Sequence, residues 1–331
     1  MRAFTNSNPK DLPQALAVIQ QAHAAGRTAA IAGGGSDLLG MIKEQIVAPD
    51  VVVNLKSIKG LDQIFTYKRG SGLKIGGLAT LDSITRHAVI RREYAVLAEA
   101  ADSVATPQIR NVGTLAGNVA QRPWCWYYRN GFPCYKAGGK QCFSIDGENQ
   151  FHAIFGGGPS FIVHPSDTAP ALVALDAKFR IAGPSGERTM SAADFFVLPR
   201  QNAATENVLG PGEVLVSIDV PAARAGTRST YHKIMDREAW THATASAAVV
   251  LEIDNGVCRS ARIVLGGVAP IPWRVPEAER VLTGQRISAE LAARAGEIAI
   301  AGAQPLAKNA YKVPLTKALV KRTVLELAER A

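Results

Sequence analysis

Three consecutive glycines, Gly33-Gly34-Gly35, separate an apolar run from a helix-capping pair, and this arrangement constrains the fold more than any other feature of the chain. Before them, Thr28-Ala29-Ala30-Ile31-Ala32 reads as a buried strand. After them, Ser36 and Asp37 are placed to cap a short helix through Leu38, Leu39 and Ile42, and Val51-Val52-Val53-Asn54-Leu55 reads as the next strand. The segment predicts a β-α-β unit with glycines at its first turn. Residues without a Cβ let backbone approach a phosphate closely and leave amide hydrogens open to it. The pattern Gly33-x-Gly35-x-x-Leu38 has leucine where the dinucleotide fingerprint has its third glycine, and no Gly-Lys-Ser/Thr follows. From the turn alone, phosphate binding and an ordinary tight turn both stand.

The remaining pattern is mixed. A helix is expected from Leu12, with Asp11 as cap, Pro13 in the first turn, Leu12, Leu16 and Ile19 on one face, and Gly26 as terminator. Helices are also expected over 81–89 and 95–104, and strands over 73–75, 153–155, 161–163, 178–181 and 214–218. A polar stretch over 221–227 marks a boundary. Beyond it, strands over 245–253 and 259–265 flank Asp254-Asn255-Gly256, a strong hairpin signal, and helices follow over 288–301 and 315–330. The expectation is an α+β chain with a first domain over 1–225, in lobes of about 1–58 and 59–225, and a sheet-plus-helix domain over 226–331. A length of 331 residues with 47% hydrophobic content suits units that each bury a core.

The formal charge is +9, yet the basic residues are scattered, and the pair Arg91-Arg92 sits beside Glu93. That distribution fits a solvated surface, or one facing an acidic protein, better than a nucleic-acid stripe. No run approaches the roughly 18 to 20 apolar residues of a membrane span, and the start has no secretory core. The sequence reading is a cytoplasmic chain without nucleic-acid or membrane partners, with periplasmic export alongside a signal-bearing partner left open.

Cys125, Cys134 and Cys142 lie in a C-x8-C-x7-C pattern within a loop of about 122–160. From 122 to 142 there is no acid, while Arg122, Arg129, Lys136 and Lys140 are present and aromatics are dense. Thiolates on iron carry net negative charge, so basic neighbours and aromatic cover are expected around them. Three buried thiols or a structural zinc are the alternatives, although the C-x2-4-C pair usual for zinc is absent. Cys258, at the hairpin, is expected to be a packed core residue.

Two more polar turns complete the set. Arg110-Asn111-Val112-Gly113-Thr114-Leu115-Ala116-Gly117-Asn118, preceded by Thr106, offers donors without bulk, and His164-Pro165-Ser166-Asp167 follows an apolar run. Together with Ala32-Gly33-Gly34-Gly35-Ser36-Asp37-Leu38 and Leu265-Gly266-Gly267-Val268-Ala269-Pro270, these motifs occur in an order that resembles the FAD-binding subunit of the xanthine dehydrogenase and carbon monoxide dehydrogenase family. The resemblance runs over nearly the whole chain.

It implies a two-lobed FAD-binding domain of the PCMH type, followed by a C-terminal α+β domain of the CO dehydrogenase flavoprotein type. Ala32, Gly33, Gly34, Gly35, Ser36, Asp37 and Leu38 would wrap the pyrophosphate. Thr106, Gly113, Thr114, Gly117 and Asn118 would hold the phosphate and flavin side, and Asp167 the ribityl or flavin region. Lys233 is either a flavin contact or a plain surface lysine. The implied activity is electron transfer beside a molybdopterin-containing large subunit and a [2Fe-2S] small subunit in a hydroxylase of an aldehyde, a purine or an N-heterocycle.

The cysteine insertion is similar to that of the aldehyde oxidoreductase and 4-hydroxybenzoyl-CoA reductase branch, where it carries an iron-sulfur cluster of the [4Fe-4S] type. Here Ser160 stands where that pattern has a fourth cysteine, so Ser160, His152, an exogenous ligand or a three-iron cluster stay open. Two other functions are weighed. One is a free-standing flavin oxidase using His232, Asp236, Arg237 or His242; the other is a zinc-stabilised nucleic-acid module.

Overall fold

The computed structural model describes residues 2–67 and 71–329. The first lobe runs β1 (Thr5–Ser7), α1 (Leu12–Ala24), β2 (Ala29–Ala32), α2 (Leu38–Lys43) and β3 (Val51–Asn54). Its strands form a parallel sheet in the order β1-β3-β2. α1 begins as its sequence dictates: Asp11 accepts a hydrogen bond from the Gln14 amide at 2.8 Å, and Pro13 lies in the first turn. Gly26, at φ +67, supplies the left-handed residue that ends it. Ala15, Ile19 and Ala22 bury against Val51 and Val53 and also against Val214 and Val216, so α1 ties this lobe to the next sheet. Burial of one side chain such as Ile19 stabilises by roughly 1.5–3 kcal/mol.

The second lobe contains β4 (Ile64–Thr66), β5 (Leu73–Gly76), α3 (Leu81–Arg86), α4 (Ala88–Glu93), α5 (Ala95–Asp102), α6 (Pro107–Arg110), α7 (Leu115–Val119), α8 (Trp126–Arg129), α9 (Thr168–Ala174), β6 (Lys178–Gly183), β7 (Gly186–Ser191) and β8 (Val214–Val220). The strands pair antiparallel in the order β4-β5-β8-β6-β7. The single helix expected over 81–89 is two, because His87 takes an extended conformation between α3 and α4 and its ring accepts from the Ile90 amide. The strands expected over 153–155 and 161–163 are loop. Their apolar residues enter the core, but the amides of Ile154 and Phe155 both donate to Val268 O, and Ala153 N donates to Phe161 O. A buried apolar run flanked by glycines looks the same in sequence whether or not it joins a ladder.

The last part comprises β9 (Thr227–Ile234), β10 (Ala245–Asp254), β11 (Val257–Gly266), β12 (Trp273–Arg274), α10 (Pro276–Leu282), α11 (Ala289–Ala299) and α12 (Lys312–Glu329). The expected end of the last helix, Arg330, lies outside the described residues. The antiparallel sheet has the order β12-β11-β10-β9. Asn255 and Gly256, at φ +50 and +76, make the tight turn between β10 and β11, matching the left-handed pair of a type I′ hairpin. The run from Ala245 to Leu251 has no polar face because the sheet is covered twice. Ala248 and Val250 pack into the second-lobe core, while Ala247, Val249 and Leu251 pack with residues of α11 and α12. Cys258 is fully buried in that second core, as expected of a packed thiol. No helix of the described residues is long and apolar enough to cross a membrane.

Candidate flavin and cysteine-loop site

The glycine turn and the second polar loop meet. A Cβ on Gly34 would lie 2.0 Å from Val112 O, and one on Gly33 would lie 2.8 Å from Thr114 Oγ1. Only bare backbone fits this contact, so the glycines are required by packing whatever else they bind. None of the backbone amides from Gly33 to Asp37 donates to a protein acceptor among the described residues, which leaves these donors open to an anion. The chain here therefore fits a dinucleotide phosphate on the ground of its unpaired amides. The six-residue α2 is too short to add much of a helix field.

Asp37 departs from its expected role. It makes no cap bond to α2. Its two oxygens instead accept from Arg129 Nη2 at 2.8 Å and from the Arg122 amide at 3.2 Å. The glycine turn is thereby fastened to the start of the cysteine loop. Thr106 and Thr114 are occupied as caps, accepting from the amides of Ile109 and Gly117 at 3.4 and 3.2 Å. Asn118 turns its Oδ1 to the hydroxyls of Ser166 and Thr168, each at 2.6 Å. The loop of 106–118 thus orders the turn that carries Asp167.

Asp167 is buried with two partners: Tyr231 Oη donates to one oxygen at 2.6 Å and Lys233 Nζ to the other at 2.7 Å. Lys233 also donates to Ser103 O at 2.9 Å, and its side chain is 3% exposed. It is not the surface lysine that the sequence left open. Burial and the neighbouring Asp167 carboxylate push the Tyr231 phenol well above its ordinary value, so it stays a donor. His164 is held neutral, with burial pulling it down to about 3, and its Nδ1 accepts from the Ser166 amide.

Three of the four basic residues of the cysteine loop, Arg122, Arg129 and Lys136, answer acids from elsewhere, and of these Lys136 also lies within electrostatic reach of Cys134. Lys136 and Arg122 reach Glu206 at 2.9 and 3.2 Å, and Arg129 reaches Asp37 while lying over the Trp124 ring at 4.3 Å. Burial pulls Lys136 below the usual lysine value against the pull of Glu206. Such a buried pair adds little net stability but fixes where the loop sits. Sequence reasoning missed Glu206 and Asp37 as anchors, since partners 70 to 92 positions apart leave no local signature.

Cys134 is buried, and Cys125 and Cys142 are partly so. Cys125 lies within electrostatic reach of both other thiols, and burial pushes its own thiol up to about 11. Its Sγ is 3.3 Å from His152 Nε2. Cys142 Sγ is 3.1 Å from Ser144 Oγ and accepts from the Phe161 amide at 3.5 Å, which brings the backbone beside Ser160 to this thiol. Ser160 itself is buried. A single ion needs its donors to converge within about 2.0–2.3 Å of one point. No group of three His, Cys, Asp or Glu side chains among the described residues converges in that way, so a structural zinc finds no ligand set there.

A cavity of about 200 Å³ joins the two halves of the site, lined among others by Trp124, Cys125, His152, His164, Asp167 and His242. His232 is turned away to Glu326, at 3.0 Å, and offers no base in this cavity.

Comparison with known proteins agrees with this architecture. Residues 2–223 match the family described as FAD binding domain in molybdopterin dehydrogenase, and residues 230–327 match the CO dehydrogenase flavoprotein C-terminal domain. The aldehyde oxidoreductase FAD-binding subunit PaoB of Escherichia coli (strain K12) is 34% identical over 302 residues, covering 90% of this chain and 91% of that one. The carbon monoxide dehydrogenase medium chain of Hydrogenophaga pseudoflava is 29% identical over 326 residues, covering 97% and 96%. A solved structure of carbon monoxide dehydrogenase from the same organism, lacking the Mo-pyranopterin moiety of its cofactor, superposes with TM-score 0.77 at 28% identity, over 99% of this chain and 97% of that one.

Proposed function

The chain belongs to the FAD-binding family of the molybdopterin dehydrogenases, and from that premise we propose that it is the flavin-carrying electron-transfer subunit of a heteromeric molybdenum hydroxylase. The observation that carries the reading is the row of unpaired amides over Gly33 to Asp37, packed on the loop of 106–118 and facing no protein acceptor. In this reading Ala32, Gly33, Gly34, Gly35, Ser36 and Leu38 hold the pyrophosphate, with Asp37 keeping the turn in place through Arg129. Gly113, Gly117 and the free amide end of Asn118 border the phosphate and flavin side, with Thr106 and Thr114 shaping the loop from within. Asp167, locked by Tyr231 and Lys233, orients the ribityl or flavin region. Bound FAD supplies the redox carrier that joins a one-electron donor to an external acceptor.

The large molybdopterin subunit and the [2Fe-2S] small subunit are the partners, and the substrate is an aldehyde, a purine or an N-heterocycle handled in the large subunit. Of the residues weighed for a free-standing oxidase, Asp236 and His242 line the cavity while His232 pairs with Glu326, and no further observation favours that reading. The zinc-stabilised nucleic-acid module finds no ligand set among the described residues.

The cysteine loop carries a second part of the reading: an iron-sulfur cluster on Cys125, Cys134 and Cys142. A cluster asks less convergence than one ion, because each thiolate binds a different iron and the metal core spaces them. The reach of Cys125 to each of the other two thiols, aromatic cover from Tyr127, Phe132 and Phe143, and a loop anchored at both ends support it. Anaerobically purified protein is expected to contain iron and acid-labile sulfide, and Cys134→Ser to lose most of both while keeping FAD. Wild-type protein with neither element would contradict this part and leave the flavin reading intact.

A further inference from the structure

Resting on the flavin reading above, we propose that Trp124 is a specificity-determining residue for the electron acceptor, its indole closing the cavity beside Asp167 against an open cleft on the protein surface. Two separate spaces meet at this residue. The cavity of about 200 Å³ has Trp124, His242 and Asp167 in its walls. The cleft, of about 460 Å³, is lined by Glu44, Gln45, Ile46, Arg129, Asn130 and Gly131. Trp124 is the residue that borders both, and it is 44% exposed. A ring so placed is the wall between them, and whatever moves from the cleft to the cavity has to displace it.

The wall is held in place by its neighbours. The Arg129 guanidinium carbon lies 4.3 Å from the indole centroid, an attractive cation–π geometry, and the His242 ring centroid lies 5.2 Å away with the planes tilted by 37°. Arg129 is itself fixed: its Nε donates to Pro123 O at 2.9 Å, and its Nη2 to Arg122 O at 3.1 Å and to Asp37 Oδ1 at 2.8 Å. Through Asp37 the same guanidinium is tied to the glycine turn, so the segment read as the pyrophosphate site also sets the stance of the wall. His242 comes from the segment between β9 and β10, which makes the closure a contact between the cysteine loop and the C-terminal domain. The chemical consequence is a choice between acceptors. A quinone that takes a hydride and a proton from reduced flavin, becoming a hydroquinone, must lie against the flavin ring. Two ferricyanide ions each take one electron without forming a bond, while the two protons pass to water. The indole stands in the way of the first and not of the second.

The test compares wild type, Trp124→Ala and Trp124→Phe in the assembled complex, with two readouts. Sulfite, which bleaches oxidised flavin by forming a bond to its ring nitrogen N5, measures access without turnover. Bleaching is expected to be about tenfold faster in Trp124→Ala than in wild type, and Trp124→Phe, which keeps a flat ring, is expected to return most of the way to the wild-type rate. During turnover, the ratio of kcat/KM for menadione, a two-ring quinone, to kcat/KM for ferricyanide is expected to rise about tenfold in Trp124→Ala and to fall back in Trp124→Phe. Should Trp124→Ala lose FAD, Trp124→Leu carries the same comparison. Equal bleaching rates in the FAD-loaded proteins, nil in both included, or an equal acceptor ratio, overturn the role of Trp124 and leave the flavin reading intact. Wild-type complex without FAD overturns the flavin reading itself.

Discussion

Gly34→Ala is expected to strip FAD from the protein. The added Cβ would stand 2.0 Å from Val112 O and 2.8 Å from Val112 C, and both are backbone atoms that no side-chain rotation can move. The glycine turn and the loop of 106–118 would have to separate, at an overpacking cost of about 1–3 kcal/mol. If that cost falls on the state that binds, FAD affinity drops about tenfold to hundredfold. Gly40→Ala is the control. It changes the same residue type in α2, where a Cβ meets nothing within 4 Å, and it is expected to leave FAD content unchanged and add a fraction of a kcal/mol of helix stability, about 0.5–1. Flavin fluorescence released from equal amounts of denatured protein measures both. Equal flavin in Gly34→Ala and wild type would show that the contact of the two loops does not shape the FAD site.

Lys312→Met is expected to give the largest loss of stability. Lys312 is fully buried at the start of α12, and its Nζ donates to Phe151 O at 3.0 Å and to Gly267 O at 2.7 Å. One side chain thus pins the end of the cysteine loop and the turn after β11 to the C-terminal helix. Burial pulls its pKa down to about 7, but the neutral amine still has two hydrogens for two carbonyls, so both protonation states can make the contact. Methionine matches the length and leaves two buried carbonyls unsatisfied, at about 1–3 kcal/mol each. A loss of about 3–5 kcal/mol should lower the melting temperature by roughly 5–15 °C at a few degrees per kcal/mol. A melting temperature within about 2 °C of wild type would mean that the pinning is dispensable.

How much of this was legible in the sequence depends on how local the cause is. The cap of α1, the glycine turn and the Asn255-Gly256 hairpin were readable because each is fixed by residues within a few positions. The family followed from four motifs in order. Asp37 was misjudged as a helix cap, since an Asp before a short apolar helix has that local signature, while its real partner, Arg129, is 92 positions away. Lys312 and Glu206 gave no signal at all, because a buried cation or anion is recognisable only once its distant partners are placed. The loop around Ile154 and Phe155 was taken for strand because apolar content reports burial and not the ladder. β7 went unpredicted for the opposite reason: as an edge strand with four exposed residues at its start it has no apolar pattern to read.

The most direct measurement is flavin stoichiometry and reducibility in the complete complex, purified anaerobically from its native host. One FAD per copy of this chain, bleaching when an aldehyde, a purine or an N-heterocycle is turned over without an external acceptor, is the predicted result. A complex that consumes such a substrate while containing no flavin, or while its flavin stays oxidised, would contradict the account.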